Sequence, residues 1–291
     1  MSAAPIALER RWMRARRLPG LRGQGGVIAS VAFLVVVTLA AILAPEISPH
    51  NPSAADLSSL LSPPGTPGHL LGTDTAGRDI LSRIIYGARI SLLAPLVLVV
   101  ISSTLGTAIG VCAGWMGGIA DEVISRVMDF LFAFPGLLIA IIAVALFGTG
   151  VTAPIVGLII AYTPYTARLA RGLVAQERNL PYVESYRQQG FSGPRIALTM
   201  LLPNIAPTLL AQSALSFGYG LIDLATLSFL GFGVQPPTAD WGVMVSDAQQ
   251  GILQGDIWVA LFPGLAIMLT VISFNVLGDA IAERIGRTEA A

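Results

Sequence analysis

The sequence has no lysine, one cysteine and two histidines in 291 residues. Without lysine there is no Gly-x-x-x-x-Gly-Lys phosphate loop, so the chain carries no Walker-type site for ATP. Cys112 has no internal partner for a disulfide, and one thiol makes no metal site. It lies within an apolar stretch and reads as a small buried apolar residue. His50 and His69 share one polar segment, and two imidazoles alone are too few for a metal centre. No histidine falls in an apolar stretch, which removes the nucleophile–base pair an intramembrane hydrolase needs. Net charge is zero, so the basic footprint of a nucleic-acid binder is missing.

Charge is scarce as well. Charged residues make up 12% of the chain and hydrophobic ones 54%, against about 25% charged in an ordinary soluble domain. The charges cluster. Residues 23–45, 90–120, 130–167, 196–222 and 257–278 hold no Asp, Glu, Lys or Arg. A helix crosses a ~30 Å hydrocarbon core with roughly 20 apolar residues, so each gap accommodates one crossing. The 130–167 gap accommodates two, with Phe147-Gly148-Thr149-Gly150 as the turn. Six spans are predicted, near 27–44, 90–113, 130–147, 151–167, 203–230 and 257–278. The 18-residue run Val27–Ala44 exceeds the 7–15-residue core of a cleaved signal and reads as an uncleaved first span.

Positively charged loops stay in the cytoplasm. With the N-terminus inside, fourteen arginines are cytoplasmic, including six in the tail and five between Arg168 and Arg195, and only Arg78, Arg83 and Arg89 lie outside. Both termini are then cytoplasmic. The domain reading is a cytoplasmic tail at 1–26, a first span with an extracytoplasmic loop and interfacial helix at 27–89, a transmembrane core at 90–286 and a C-terminal tail at 287–291. Pro45, Pro49, Pro52, Pro63, Pro64 and Pro67 keep the 45–89 segment from forming one long helix. Its end turns helical near Arg78, with Ile80, Ile84 and Ile85 on one side. Pro95, Pro164, Pro207 and Pro263 fall inside spans and read as packing kinks. Gly106 and Gly110 stand at a GxxxG spacing that permits close helix approach. Trp115, Trp241 and Trp258 read as interfacial anchors.

The 168–203 segment is a cytoplasmic loop with internal structure. Asn179-Leu180-Pro181 starts a helix with Pro in its first turn, and Glu184 offsets the helix dipole there. Gly190 ends that helix, and Ser192-Gly193-Pro194 caps and starts the next. Glu184, Gly190, Leu202 and Pro203 stand on the spacing of the loop shared by permease subunits of ABC importers, with Ser185 and Tyr186 at its two alanine positions. A longer series resembles the dipeptide/oligopeptide permease subunits of the C type: Gly72-Thr73-Asp74, Gly77-Arg78-Asp79, Arg83, Gly87-Ala88-Arg89, Ala133-Phe134-Pro135, Leu227-Ser228-Phe229-Leu230-Gly231, Gln235-Pro236-Pro237, Trp241-Gly242 and Phe262-Pro263-Gly264.

That resemblance implies an all-α type I ABC importer permease in the bacterial cytoplasmic (inner) membrane. Its short loop helix docks on an ATPase subunit, and Gly72, Thr73, Asp74, Gly77, Arg78, Asp79, Arg83 and Arg89 form an extracytoplasmic signature or gate. Implied partners are a second, B-type permease, two ATPases that bind the ATP and Mg, and an extracytoplasmic binding protein. No cofactor belongs to this chain, and peptide is the implied substrate; related permeases carry nickel complexes, haem or modified peptides. The family carries Glu at the position of Leu224, whereas the acid here is Asp223, turned by about 100° on a helix. An acid at membrane depth is a functional candidate: Asp223 faces either a translocation pathway or a structural partner. An ion-coupled transporter using Asp129, Asp223 and Asp279 is the competing class. Arg78, Arg83 and Arg89 either pair with Asp74 and Asp79 in an outside cap or meet a binding protein.

Overall fold

The computed structural model describes residues 24–288, with side chains described through Arg284. The six tail arginines and residues 289–291 lie outside the described residues. Every regular element among those described is helical: α1 Gln24–Ile42, α2 Ala44–Ile47, α3 Ile80–Met116, α4 Gly118–Phe132, α5 Gly136–Phe147, α6 Thr152–Glu177, α7 Pro181–Gln188, α8 Gly193–Ile196, α9 Leu202–Phe229, α10 Trp241–Asp247, α11 Gln249–Gln254 and α12 Trp258–Thr288. A π-helical turn, Ala197–Leu201, joins α8 to α9.

Among the described residues, four helices are long and apolar enough to cross a membrane: α1, α3, the continuous Gly193–Phe229 rod and α12. The stretch predicted as one span at 130–147 is instead broken. Helices α4 and α5 meet at an 81° bend across Ala133-Phe134-Pro135. Pro135 has no N–H to continue the ladder and biases the preceding residue away from α geometry. The predicted turn after Phe147 is present. Helix α6 runs ten residues past the predicted end of the fourth span, because the 168–177 arginines lie on helix, not loop. Cys112 is exposed on the outside of α3, not buried. Pro95, Pro164, Pro207 and Pro263 all lie inside helices.

Helices α3 and α6 form the most extensive helix pair. Glycine makes their approach possible. A Cβ added at Gly106 would lie 2.6 Å from Thr166 Cβ, at Gly110 2.4 Å from the Ala167 carbonyl oxygen, and at Gly114 2.9 Å from the Arg171 carbonyl oxygen. The GxxxG pair is therefore part of a three-glycine seam on one face of α3. Three apolar clusters fill the bundle. One holds Ile80, Phe217, Trp241 and Val259, a second Leu98, Ala140, Leu158 and Leu227, and a third Val111, Val174, Val183, Ile196 and Leu201 beneath α7.

Candidate functional site

Three places gather the candidate side chains. The first is the cap built by residues 48–83 and 231–248. Asp79 caps α3, and its Oδ2 accepts hydrogen bonds from the Ser82 amide (2.8 Å) and hydroxyl (2.6 Å). Asp74 Oδ2 pairs with Arg78 Nε at 2.7 Å and Arg83 Nε at 3.4 Å, while Asp247 Oδ2 pairs with Arg78 Nη2 at 2.7 Å and Arg83 Nη2 at 3.5 Å. Two acids and two guanidinium groups form a neutral buried cluster. Arg83 is fully buried, and its Nη1 donates to the Pro52 and Pro237 carbonyls at 3.1 Å each. It thereby ties both loops to α3. Thr73 is buried and bonds Ser62 and Ser59, and a Cβ at Gly72 or Gly77 would collide with the backbone of Ser62 or Asp56.

The arginine–acid pairing expected here holds for Asp74 but not for Asp79, which meets His69 Nδ1 at 3.0 Å and His50 Nδ1 at 3.9 Å. Burial alone raises the Asp79 carboxyl pKa, but the Ser82 and His69 hydrogen bonds outweigh it and leave it lowered. His50, His69 and Asp79 thus offer three ligand atoms within 4.8 Å of one another, a gathering that the 19-residue spacing of the histidines concealed. In place of Asp79, Arg78 and Arg83 take Asp247, an acid remote in sequence. Arg89 stands apart: it is exposed on the next turns of α3 and has no ion-pair partner among the described residues. Asp240 caps α10 and accepts from the Ser91 hydroxyl at 2.7 Å; burial pushes its carboxyl up, against the Ser91 and backbone bonds. Trp241 is no interfacial anchor. It is buried, with Nε1 donating to the Ile84 carbonyl at 3.0 Å.

The second place is the 181–203 hinge. Pro181 stands in the first turn of α7, and Glu184 is in that turn, as predicted. Gly190 takes φ +83°, a left-handed conformation that L side chains rarely adopt, and the Phe191 amide reaches back to the Tyr186 carbonyl at 3.1 Å. Glu184, Ser185 and Arg187 are exposed on one face, whereas Val183 is fully buried on the other. Tyr186 is half-buried and packs edge-on against Tyr182 and Phe191 of its own chain. The bulky replacement for alanine is accommodated internally.

Ser192 occupies the next cap position without a side-chain hydrogen bond, so Pro194 in the first turn starts α8 without it. Leu202-Pro203 does not begin the rod, which starts at Gly193. Pro203 would collide with the carbonyl four residues back in a regular helix, and the π turn directly before it relieves that contact. Side chains brace α7 on three helices. Tyr182 Oη donates to Glu177 Oε2 (2.5 Å) and accepts from Asn204 (3.2 Å). Burial and the Glu177 carboxylate push the Tyr182 phenol up to about 12. Arg178 donates to the Gly114 carbonyl (2.8 Å), and Arg187 lies over the Trp115 ring.

The third place is a cavity of about 600 Å³ where α6 and α9 face the α4–α5 bend. Gln212, Ser216, Tyr219 and Asp223 line it from α9, and Tyr162 and Tyr165 from α6. The Tyr162 hydroxyl donates to Asp223 Oδ2 at 2.8 Å. Leu224 points elsewhere, into the Leu98–Leu158–Leu227 cluster, so the offset acid and the family position occupy different faces. Asp129 pairs with Arg168 at the exposed end of α4. The steps of four, three and four residues from Gln212 to Asp223 were the available signal for this face.

Residues 106–288, more than half of the chain, match the family model described as binding-protein-dependent transport system inner membrane component. The chain belongs to this family. Permeases of this kind with similar sequence include the dipeptide transport system permease protein DppC of Escherichia coli K12, 41% identical over 263 residues that cover 89% of this chain and 87% of that protein. DppC of Haemophilus influenzae is 37% identical, covering 89% of each. The fold is also like that of a chain of the MetNI methionine ABC transporter in an inward-facing conformation, with TM-score 0.51 and 18% identity, covering 67% of this permease and 94% of that chain. The family match takes in the 181–203 hinge and the α9 face of the cavity but not the 48–83 part of the cap.

Proposed function

We propose that this permease is one of two membrane subunits of an ATP-driven peptide importer in the bacterial cytoplasmic membrane. The observation that carries the reading is the braced helix α7. Its outer face offers Glu184 and Ser185, while Val183 and Arg187 hold it against α3 and Tyr182 ties it to α6 and α9. A partner ATPase that grips this face moves the Gly193–Phe229 rod directly, because only the glycine turn separates them. Asp223 lies 30 residues up that rod, about 45 Å away at 1.5 Å per residue. ATP-driven motion at one end thus reaches the acidic cavity, which we read as this chain's wall of the translocation pathway. The dipeptide permeases it resembles favour peptide as cargo. A B-type permease, two ATPases that hold ATP and Mg, and a binding protein meeting the cap complete the machine.

The test is uptake by the reconstituted importer. Wild type accumulates dipeptide with ATP, and Gly190→Val lowers that uptake at least about tenfold while the chain still inserts. A Cβ added at this position meets no atom within 4 Å, so the expected cost is the left-handed backbone. Gly190→Asn, which tolerates that conformation, retains more activity. Accumulation driven by a proton gradient without ATP overturns the reading.

We also propose six crossings with both ends cytoplasmic, counting the bent α4–α5 pair and α6 as one crossing each. Arginine distribution supports this orientation. In a Cys112→Ser chain, Leu60→Cys and Val245→Cys are expected to react with an impermeant thiol reagent added outside intact cells. Leu180→Cys should react only after permeabilisation, and its reaction in intact cells inverts the topology.

A further inference from the structure

Asp223 sits in an apolar rod, yet it belongs to a polar stripe. Gln212, Ser216, Tyr219 and Asp223 share one face of α9, across the cavity from Tyr162 and Tyr165. No cationic side chain lines this space among the described residues. Arg168, over the Phe132 ring at the cavity wall, is paired with Asp129 at 2.7 Å. Asp223 Oδ2 accepts the Tyr162 hydroxyl, and no described side chain bonds Oδ1. A carboxylate at membrane depth without a counter-ion is costly, and a cation supplied from outside the chain relieves that cost. The surroundings select which cation. Hard metal ions take six or more oxygen ligands, and one carboxylate with phenols and an amide is a poor set. Aromatic faces within about 6 Å of a cation attract organic ammonium groups.

We infer that this stripe is a cation-binding station for the protonated primary amine of a peptide's N-terminus. Asp223 supplies the charge, Tyr162 holds its carboxylate in place, and Tyr165 and Tyr219 supply ring faces. The cavity of about 600 Å³ leaves space for the rest of a short peptide. This rests on the importer reading for its cargo, but the station itself is measurable without transport.

The experiment uses the assembled importer in lipid, with Ala161→Cys in a Cys112→Ser chain. Modification by cationic 2-aminoethyl methanethiosulfonate is timed against neutral methyl methanethiosulfonate, each normalised to its rate with glutathione. The cationic reagent is expected to be favoured about tenfold, the scale of one screened ion pair. Asp223→Asn should abolish that preference, and Asp223→Glu should keep it. Glycylglycine methyl ester should slow the cationic labelling, and its N-acetyl derivative should not. In uptake, Asp223→Asn should raise KM for a free-amine dipeptide about tenfold, with ATP hydrolysis still stimulated by the binding protein. A labelling preference that survives Asp223→Asn overturns the station, and so does its absence in wild type, the result expected if a guanidinium of the second permease neutralised the acid. If Asp223→Asn does not assemble, protection by the two esters decides: equal protection overturns the proposal. Absent uptake with an intact labelling preference would instead strike the importer reading and leave the station standing.

Discussion

Gly110→Val is expected to prevent accumulation of folded permease, with a stability loss of about 3 kcal/mol or more. The Cβ of any other residue would stand 2.4 Å from the Ala167 carbonyl oxygen and 2.7 Å from Ala170 Cβ. Real Cβ atoms do not approach backbone that closely, and a helix backbone has no rotamer to escape into. The whole of α6 must then retreat from α3, opening the most extensive helix contact in the bundle. In lipid no hydrophobic gain drives two helices together, so packing contacts of this kind hold the pair. Gly172→Ala is the control. That glycine is exposed on α6, its added Cβ meets nothing, and alanine favours helix by about 1 kcal/mol. Thermal unfolding in detergent and expression yield check both. Wild-type yield and Tm from Gly110→Val would show that the two helices do not meet as described.

Arg83→Met is expected to cost about 3–5 kcal/mol and to free the 48–79 segment from α3. Methionine fills most of the volume but leaves two carboxylates against one guanidinium. Arg78 remains within 2.7 Å of both Asp74 and Asp247, so the residual charge is one uncompensated negative in a buried site. The Pro52 and Pro237 carbonyls lose their shared donor in the same step. Limited proteolysis between residues 50 and 70 should become rapid, and Tm should fall. Arg126→Ala removes an exposed arginine whose partner Glu122 is also exposed, and exposed pairs contribute little, so its Tm should match wild type. Equal protease resistance of Arg83→Met and wild type would place the cap's strength elsewhere.

The class of molecule and much of the hinge follow from local residue pattern. Charge-free stretches of fixed length dictate helices across a bilayer, because lipid leaves backbone groups no partner but their own helix. Pro181, Glu184 and Gly190 dictate a short helix with a sharp end, because proline, first-turn acids and left-handed glycine each act within a few residues. The GxxxG spacing pointed to a close contact for the same local reason.

Which surfaces these groups meet depends on long-range packing. Asp247 joins Arg78 and Arg83 across more than 160 residues, and no local rule carries that pairing. Trp241 went into the core because the turn around Asp240 presses it onto α3. The 81° bend at Ala133-Phe134-Pro135 was hidden in an uninterrupted apolar run, since hydropathy records burial and not direction. Tyr186 turned inward because Tyr182 and Phe191 offered aromatic edges there. Asp223 faces the cavity for the plainest reason: which side of a helix is polar is local, but what lies opposite that side belongs to the packing of α6, α9 and the bend.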